Sequence, residues 1–372
     1  MRVCLDVQPA VSQRAGVGRY TRSLVEHLAP VAQARGDQLT LFYFDFQRRG
    51  EAIRAPGAEV RAVRWLPGRY VQQAWRRLDW PPFDWFAGRA DVYHFPNFAV
   101  PPLTRGAAVV NIHDLGFLRY PQYAEARNQR YLASVIQRAA RRAARIVTAS
   151  QFAAGEIAEW LHAPAEKVRV IANGLDIQPS APDAVPELRR RLGLERPYLL
   201  HVGTLEPRKN LEFLVRVFER LRGFDGDLVL SGALGWKYEA LLARIAASPL
   251  ADHIRRLDYV AEADLPALYA GAALFAIPSH YEGFGFPPLE AMACGTPVVS
   301  SVGGSLQEVL GDAAVVMPPK ACAADWASAI EVLLGDSARR AELQARGRLQ
   351  AARYTWEAAA RATWDVYREV GA

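Results

Sequence analysis

Two glutamates, Glu282 and Glu290, stand eight positions apart in Ser279-His280-Tyr281-Glu282-Gly283-Phe284-Gly285-Phe286-Pro287-Pro288-Leu289-Glu290. Ahead of them Ala273 to Ile277 is a short apolar run of buried-strand type, and Pro287-Pro288 suits a first helical turn, where a missing N–H is no loss. The glycines between let backbone approach a ligand closely. Amides at a helix start attract anions, and in open α/β sheets ligands sit beyond the carboxyl ends of the strands. The predicted placement is Glu282 in the loop and Glu290 on the first helical turn, both carboxylates facing one crevice. Paired acceptors of this kind suit vicinal hydroxyls, as on a sugar or a ribose. On spacing alone, the alternative is that Glu290 complements a helix dipole while Glu282 is solvated.

A second segment, Gly203-Thr204-Leu205-Glu206-Pro207-Arg208-Lys209-Asn210, ends a strand and is predicted to open a helix. Arg208 and Lys209 at a helix start run against the dipole, which favours acidic side chains there, so a bound anion is expected to offset the cost. Two fixed cations with helix amides can neutralise a departing diphosphate without a metal. A solvated surface pair is the plainer reading. His113-Asp114 falls at the carboxyl end of an inner strand, where His113 could donate a hydrogen bond to a sugar hydroxyl or leaving oxygen, or serve as a satisfied structural histidine. His94 is a similar candidate nearer the acceptor side. Gly16-Val17-Gly18 follows the first strand and opens the first helix, so its amides could approach a phosphate. It fails as a dinucleotide fingerprint, because the third glycine position is Thr21 and the loop after Val7 is too long for the tight turn. That argues against an NAD-dependent dehydrogenase.

Strands alternating with helices must position these groups. Strands are predicted at Arg2–Val7, Leu39–Phe44, Asp91–Phe95, Val109–His113, Arg145–Thr148 and Val168–Ala172, with helices near Val17–Leu28, Arg127–Ala143 and Gln151–Leu161, the last capped by Ser150. Gln178 to Pro186 holds three prolines and no periodicity and reads as a linker. A second series follows at Tyr198–Gly203, Leu228–Leu230, Ile254–Leu257, Ala273–Ile277, Val298–Ser300 and Ala314–Val316. The expected fold class is α/β: two Rossmann-like, doubly wound parallel-sheet domains at 1–178 and 187–355, facing across a cleft, with a C-terminal helix at 356–372 that could pack back on the first.

At 372 residues the chain exceeds one comfortable core, and 23% charged residues is ordinary for a globular protein. Neither a membrane-span pattern nor a signal-peptide pattern is present, so a cytoplasmic protein is expected. Cys4, Cys294 and Cys322 lack metal-ligand spacing and read as small buried side chains. The net charge of +6 is concentrated. Arg127, Arg130, Arg138, Arg141, Arg142 and Arg145 are predicted to share one face of a helix whose opposite face is apolar. Trp65, Trp75, Trp80 and Trp85 are interleaved with Arg64, Arg69, Arg76, Arg77 and Arg89. That composition suits an anionic membrane interface, and equally a solvated basic helix with core tryptophans. Nucleic acid is a poorer partner, since no recognition motif accompanies the charge.

Together these segments resemble glycosyltransferase family 4, the retaining nucleotide-sugar enzymes of GT-B fold. The similarity runs from Gly16-Val17-Gly18-Arg19-Tyr20-Thr21 through Ile171-Ala172-Asn173-Gly174-Leu175-Asp176 and Pro207-Arg208-Lys209-Asn210 to Gly303-Gly304. Its most specific part is the Glu282-to-Glu290 element with Gly295-Thr296-Pro297-Val298-Val299 behind it. The resemblance implies that Glu290 binds the nucleotide ribose and Glu282 the transferred sugar. It further implies that amides of Gly283, Phe284 and Gly285 hold sugar or diphosphate, that Arg208 and Lys209 hold the phosphates, and that Gly16 and Gly18 close the phosphate edge. His113 matches the histidine near the sugar C6 hydroxyl, and Asp258-Tyr259-Val260 the loop bordering the base. No metal or cofactor is implied. Within the family, Asn111-Ile112-His113-Asp114-Leu115 and Tyr120-Pro121 look most like bacterial mannosyl- or rhamnosyltransferases of surface-polysaccharide assembly, implying a GDP-mannose donor, with GDP-rhamnose or a UDP-sugar next. A lipid-linked glycan acceptor and peripheral contact with the anionic inner membrane go with that implication. A nucleotide-sugar epimerase and a non-catalytic membrane scaffold are the competing classes.

Overall fold

The structure, a computed structural model, describes residues 1–13, 16–48 and 53–371, and omits the side chains of 126–128. Arg127 of the basic helix therefore lies outside the described side chains. The chain divides into two compact units. The first comprises Met1–Arg119, Ala126–Gly174 and the stretch from Thr355 onward; the second comprises Tyr120–Glu125 and Leu175–Tyr354.

In the first unit, β1 (Arg2–Asp6), β2 (Gln38–Phe44), β3 (Glu59–Val63), β4 (Val92–Phe95), β5 (Ala107–Asn111), β6 (Arg145–Thr148) and β7 (Val168–Val170) form one sheet in the order 3-2-1-4-5-6-7. Every pairing is parallel. The central strands are apolar on both faces because helices cover both. The order reverses between β1 and β4, where neighbouring loops diverge to opposite faces and leave a crevice. The helix Trp356–Gly371 belongs to this unit and packs on the helix Val17–Ala34. It buries Trp364 and Tyr367, while the Trp364 indole N–H donates to Asp37 at 3.0 Å. A Cβ on Gly174 would stand 2.2 Å from the Trp356 amide nitrogen, so a side chain there would push this helix away.

In the second unit, β8 (Tyr198–Val202), β9 (Asp227–Ser231), β10 (Ile254–Leu257), β11 (Leu274–Ile277), β12 (Val298–Ser300) and β13 (Val315–Val316) form a parallel sheet in the order 10-9-8-11-12-13. Its reversal lies between β8 and β11. Leu199, Leu228, Leu230 and Leu274 from the strands meet Leu214, Phe218, Trp326 and Ile330 from the helices in one core.

Four expectations change. β3 is a strand the hydrophobic pattern did not show. The predicted linker ends early, because a helix already runs over Ala184–Leu192 with Pro186 inside its first turn, where proline is tolerated. Arg145 is not on the basic helix, which spans Ala126–Arg142; it opens β6 and pairs with Glu369 at 3.1 Å. His113 lies two residues past the end of β5 rather than within it. Among the described residues, no helix is long and apolar enough to cross a membrane.

Candidate active site

The two segments singled out for chemistry leave β8 and β11, the adjacent strands at the reversal of the second sheet. Their carboxyl ends bring Glu206, Arg208 and Lys209 against Glu282. Lys209 Nζ donates to Glu282 Oε1 at 2.7 Å, Ser279 Oγ to the same oxygen at 2.6 Å, and Arg208 Nη1 to Glu282 Oε2 at 3.0 Å. Arg208 Nη2 donates to Glu206 Oε1 at 2.5 Å, and Nη1 also to the Tyr281 carbonyl at 2.5 Å. Burial alone would raise the Glu282 pKa, but the charges of Lys209 and Arg208 and the hydrogen bonds from Lys209 and Ser279 outweigh it and hold the carboxyl at about 2. Glu206 is shifted upward by burial, with Arg208 and Lys209 opposing. The cluster is two carboxylates with two cations.

This corrects the expectation of a bound anion offsetting Arg208 and Lys209: the chain's own Glu206 and Glu282 do so. The cations also sit elsewhere than expected. They lie in a 3-10 turn over Pro207–Lys209, and the α-helix starts only at Leu211, after a left-handed Asn210.

The loop carrying Glu282 is pinned from the segment that follows β12. Ser305 donates through its amide to the Glu282 carbonyl at 2.9 Å and through Oγ to the Phe284 carbonyl at 3.0 Å. Gly304 has φ +66°, and a Cβ there would fall 2.2 Å from the Glu282 oxygen, so this approach requires glycine. Gly283, Phe284 and Gly285 lead into the helix Phe286–Ala293, with Gly285 at φ +108° as its N-cap. The Phe284 ring is buried against Phe286 and Tyr354, so only its backbone can face a ligand.

Glu290 is not on the first turn. It is the fifth residue of its helix, is buried, and accepts from the Tyr269 hydroxyl at 2.8 Å. Glu282 is instead held by Lys209, Arg208 and Ser279, so each carboxylate has its own polar partners. Tyr259 and Val260 follow β10, the edge strand, with β9 and β8 standing between it and β11. At roughly 4.8 Å per strand they are about 14 Å from the Glu282 loop in the sheet direction. Tyr259 is well exposed.

Gly16, Gly18 and His113 belong to the first unit. Gly16 is the N-cap of the helix Val17–Ala34 at φ +59°. A Cβ on Gly18 would lie 2.0 Å from the Gln13 carbonyl oxygen, so its lack of a side chain serves the packing of its own loop. His113 Nε2 bonds the Pro96 carbonyl at 2.9 Å, and the ring meets Tyr20 edge-on at 4.8 Å. Burial lowers its pKa, with the Pro96 bond opposing. A neutral imidazole that donates through Nε2 has its lone pair at Nδ1, so the free ring nitrogen of His113 is a hydrogen-bond acceptor and not a donor. His94 is fully buried and structural: its Nδ1 lies 2.5 Å from the Tyr367 hydroxyl and its Nε2 2.6 Å from Asn111 Oδ1.

Sequence reasoning passed over Glu206, Ser279 and His201. His201 interrupts the apolar strand Tyr198–Val202, which was the available signal. Its Nδ1 bonds the Ala276 carbonyl at 2.9 Å, its Nε2 has no hydrogen-bond partner among the described residues, and burial pushes its pKa down to about 4.

Comparison with known proteins adds the family. "Glycosyltransferase Family 4" matches residues 14–179 and "Glycosyl transferases group 1" matches residues 185–350. The O-antigen chain mannosyltransferase B of Escherichia coli is 32% identical over 99% of this chain and 100% of its own. The chain belongs to glycosyltransferase family 4. This glycosyltransferase shares its GT-B fold with the sucrose-phosphate synthase of Thermosynechococcus elongatus (TM-score 0.78, 23% identity, 99% of this chain and 98% of that one). It also shares it with Anabaena HepE in complex with UDP and glucose (TM-score 0.73, 19% identity, 99% and 100%). The enzyme is a hexosyltransferase.

Proposed function

We propose that the enzyme transfers mannose from GDP-mannose, with retention of configuration, to a lipid-linked glycan in bacterial O-antigen assembly. The cluster of buried Glu282 and Lys209 with partly exposed Arg208 at the sheet reversal carries the reading of a nucleotide-sugar site. Full-length similarity to an O-antigen chain mannosyltransferase supports the sugar and the acceptor class. A donor diphosphate arriving at Arg208 and Lys209 competes with Glu282 for them. The carboxylate thereby gains acceptor capacity for the hydroxyls of the transferred sugar, and the two cations neutralise the leaving diphosphate. Glu282 positions the sugar and is not the nucleophile; the donor phosphate takes the acceptor proton. Glu290 holds the ribose, Gly283, Phe284 and Gly285 offer backbone amides, and Tyr259 and Val260 border the base. Gly16 and Gly18 line the phosphate edge, and His113 accepts a hydrogen bond from a sugar hydroxyl. No metal is needed, because fixed cations supply the charge.

A second observation favours peripheral attachment to anionic membrane. Trp65, Trp80 and Trp85 are 70%, 56% and 62% exposed, and Leu78 is 71% exposed. Arg64, Arg69, Arg76, Arg77 and Arg89 are exposed in the same region. Tryptophan with arginine suits the headgroup layer.

The deciding experiment is a thermal-shift panel of GDP, UDP, ADP, dTDP and NAD at equal concentration without metal, followed by incubation with GDP-mannose and a lipid-diphosphate glycan in EDTA. Selective stabilisation by GDP and an α-mannosylated product are expected. No shift with any nucleotide, or isomerisation of GDP-mannose without acceptor, would overturn the reading.

A further inference from the structure

In β8 a histidine occupies a place where the neighbouring residues are apolar. His201 stands between Leu200 and Val202, is fully buried, and stacks on Phe275 of β11 with ring centroids 6.1 Å apart and 15° between the planes. Its Nδ1 is 2.9 Å from the Ala276 carbonyl, which can only accept, so Nδ1 carries the proton and Nε2 the lone pair. Burial pushes the pKa down to about 4, with the Ala276 bond opposing and the Lys209 charge adding to the fall. At neutral pH the ring is therefore a fixed acceptor. Nε2 has no hydrogen-bond partner among the described residues, and an unsatisfied buried acceptor costs stability that a leucine or valine in this strand would not.

That acceptor lies beside the lysine of the site. Residues two apart on a strand share a face, so His201 points to the side where a Gly203 side chain would stand. A Cβ on Gly203 would lie 3.6 Å from His201 Nε2, 3.5 Å from Lys209 Cε and 3.7 Å from Lys209 Nζ. The imidazole lone pair and the ammonium border the same spot. The Lys209 side chain is buried, and one of its three N–H donors goes to Glu282 Oε1 at 2.7 Å. A buried ammonium does not leave one acceptor cheaply unless others receive it.

We propose that His201 is a positioning residue for Lys209: its Nε2 accepts a hydrogen bond from the ammonium when a diphosphate draws Lys209 away from Glu282. The lysine stays aimed at the leaving group while Glu282 is released to the sugar. This rests on the donor reading above and assigns the group that holds the cation after the exchange. His201 acts only through Lys209.

The test is calorimetric titration of the full chain with GDP and with guanosine at neutral pH without metal. Three variants separate the acceptor from the packing. H201N keeps a donor where Nδ1 serves Ala276 and leaves nothing at the Nε2 position. H201F keeps a ring against Phe275 and likewise offers no acceptor. H201Q forgoes the Ala276 bond but brings an amide oxygen to the Nε2 position. H201N and H201F should weaken GDP by about 10-fold, the loss expected of a hydrogen bond to a charged group, while guanosine, which has no phosphate, changes by less than about 3-fold. H201Q should stay within about 3-fold of the parent for both. A histidine that only packs gives the opposite order, with asparagine tolerated better than glutamine and both ligands affected alike. In K209M the further change H201N should cost no GDP affinity, since no ammonium is left to hold. Unchanged GDP affinity in H201N and H201F, equal losses for GDP and guanosine, or additive losses in H201N/K209M would overturn the assignment.

Inorganic diphosphate separates this claim from the choice of donor. Lys209 is one of four lysines, so its signal can be followed by NMR in protein carrying 13C at lysine Cε. Diphosphate should move that signal in the parent and in H201Q, and much less in H201N. If no nucleotide binds the parent while this pattern holds, the donor reading fails and the His201 assignment stands. If GDP binds and H201N is indifferent, the assignment fails and the donor reading stands.

Discussion

Lys209 Nζ lies 2.7 Å from Glu282 Oε1, and both side chains are only 9% exposed. Such a pair is desolvated, and removing one partner strands the other. E282A should reduce transfer by at least about 100-fold through lost positioning, and K209M should do the same. Either single change should destabilise the chain by about 3–5 kcal/mol. K209M/E282Q, which removes both charges, should recover part of that stability while remaining inactive. Urea unfolding of the parent, K209M, E282Q and K209M/E282Q, with initial rates on these and on E282A, checks this; additive stability losses round that cycle would show that the pair is not coupled.

His94 gives a pH dependence of known sign. Burial pushes its pKa from 6.5 down to about 4, with the Asn111 bond opposing. The unfolded chain therefore takes up this proton before the folded chain does. The contribution is present above pH 6.5, is lost as pH falls through 4, and is worth about 3 kcal/mol. Unfolding free energies at pH 7 and pH 4.5 should differ less in H94Q than in the parent. A residual slope should remain from His113 and His201, whose pKa values are also lowered. An unchanged slope in H94Q would remove His94 as its source.

Gly304 tests the pinning of the Glu282 loop. G304A places a Cβ 2.2 Å from the Glu282 carbonyl oxygen at a φ of +66°. The backbone must move, at a cost of about 1–3 kcal/mol. The expected outcome is a lower melting temperature with a larger fractional loss of kcat than the stability change explains. G155A, on an exposed helix face with nothing near its Cβ, should be neutral or mildly stabilising.

For the membrane surface, W80A/W85A should lower co-sedimentation with vesicles containing anionic lipid by about 10-fold or more, since each buried indole contributes a large apolar area. Transfer to a water-soluble acceptor should be unchanged. Equal recovery of the parent protein with neutral and anionic vesicles at low salt would eliminate the surface as a membrane contact.

Much of the alternation was legible because buried parallel strands are unbroken apolar runs, as in Leu199-Leu200 and Phe275-Ala276-Ile277. β3 was not legible because it is an edge strand carrying Glu59 and Arg61, which blunt pairing with other chains and hide the pattern. Trp65, Trp80 and Trp85 could have been core or surface on composition alone; their exposure is a tertiary fact.

The sequence by itself determined the local chemistry: which loops follow which strands, where prolines permit a helix to begin, that Glu282, Arg208 and Lys209 belong to such loops, and that Glu290 belongs to the helix after one of them. Strand order was decided only in three dimensions. Parallel strands joined by helical crossovers place residues seventy positions apart side by side, and no local pattern specifies which strands become neighbours. That order put β8 beside β11, turning two cations expected to await an anion into partners of Glu206 and Glu282. It also set β1 beside β4 and opened a cavity from residues that show no pattern along the chain.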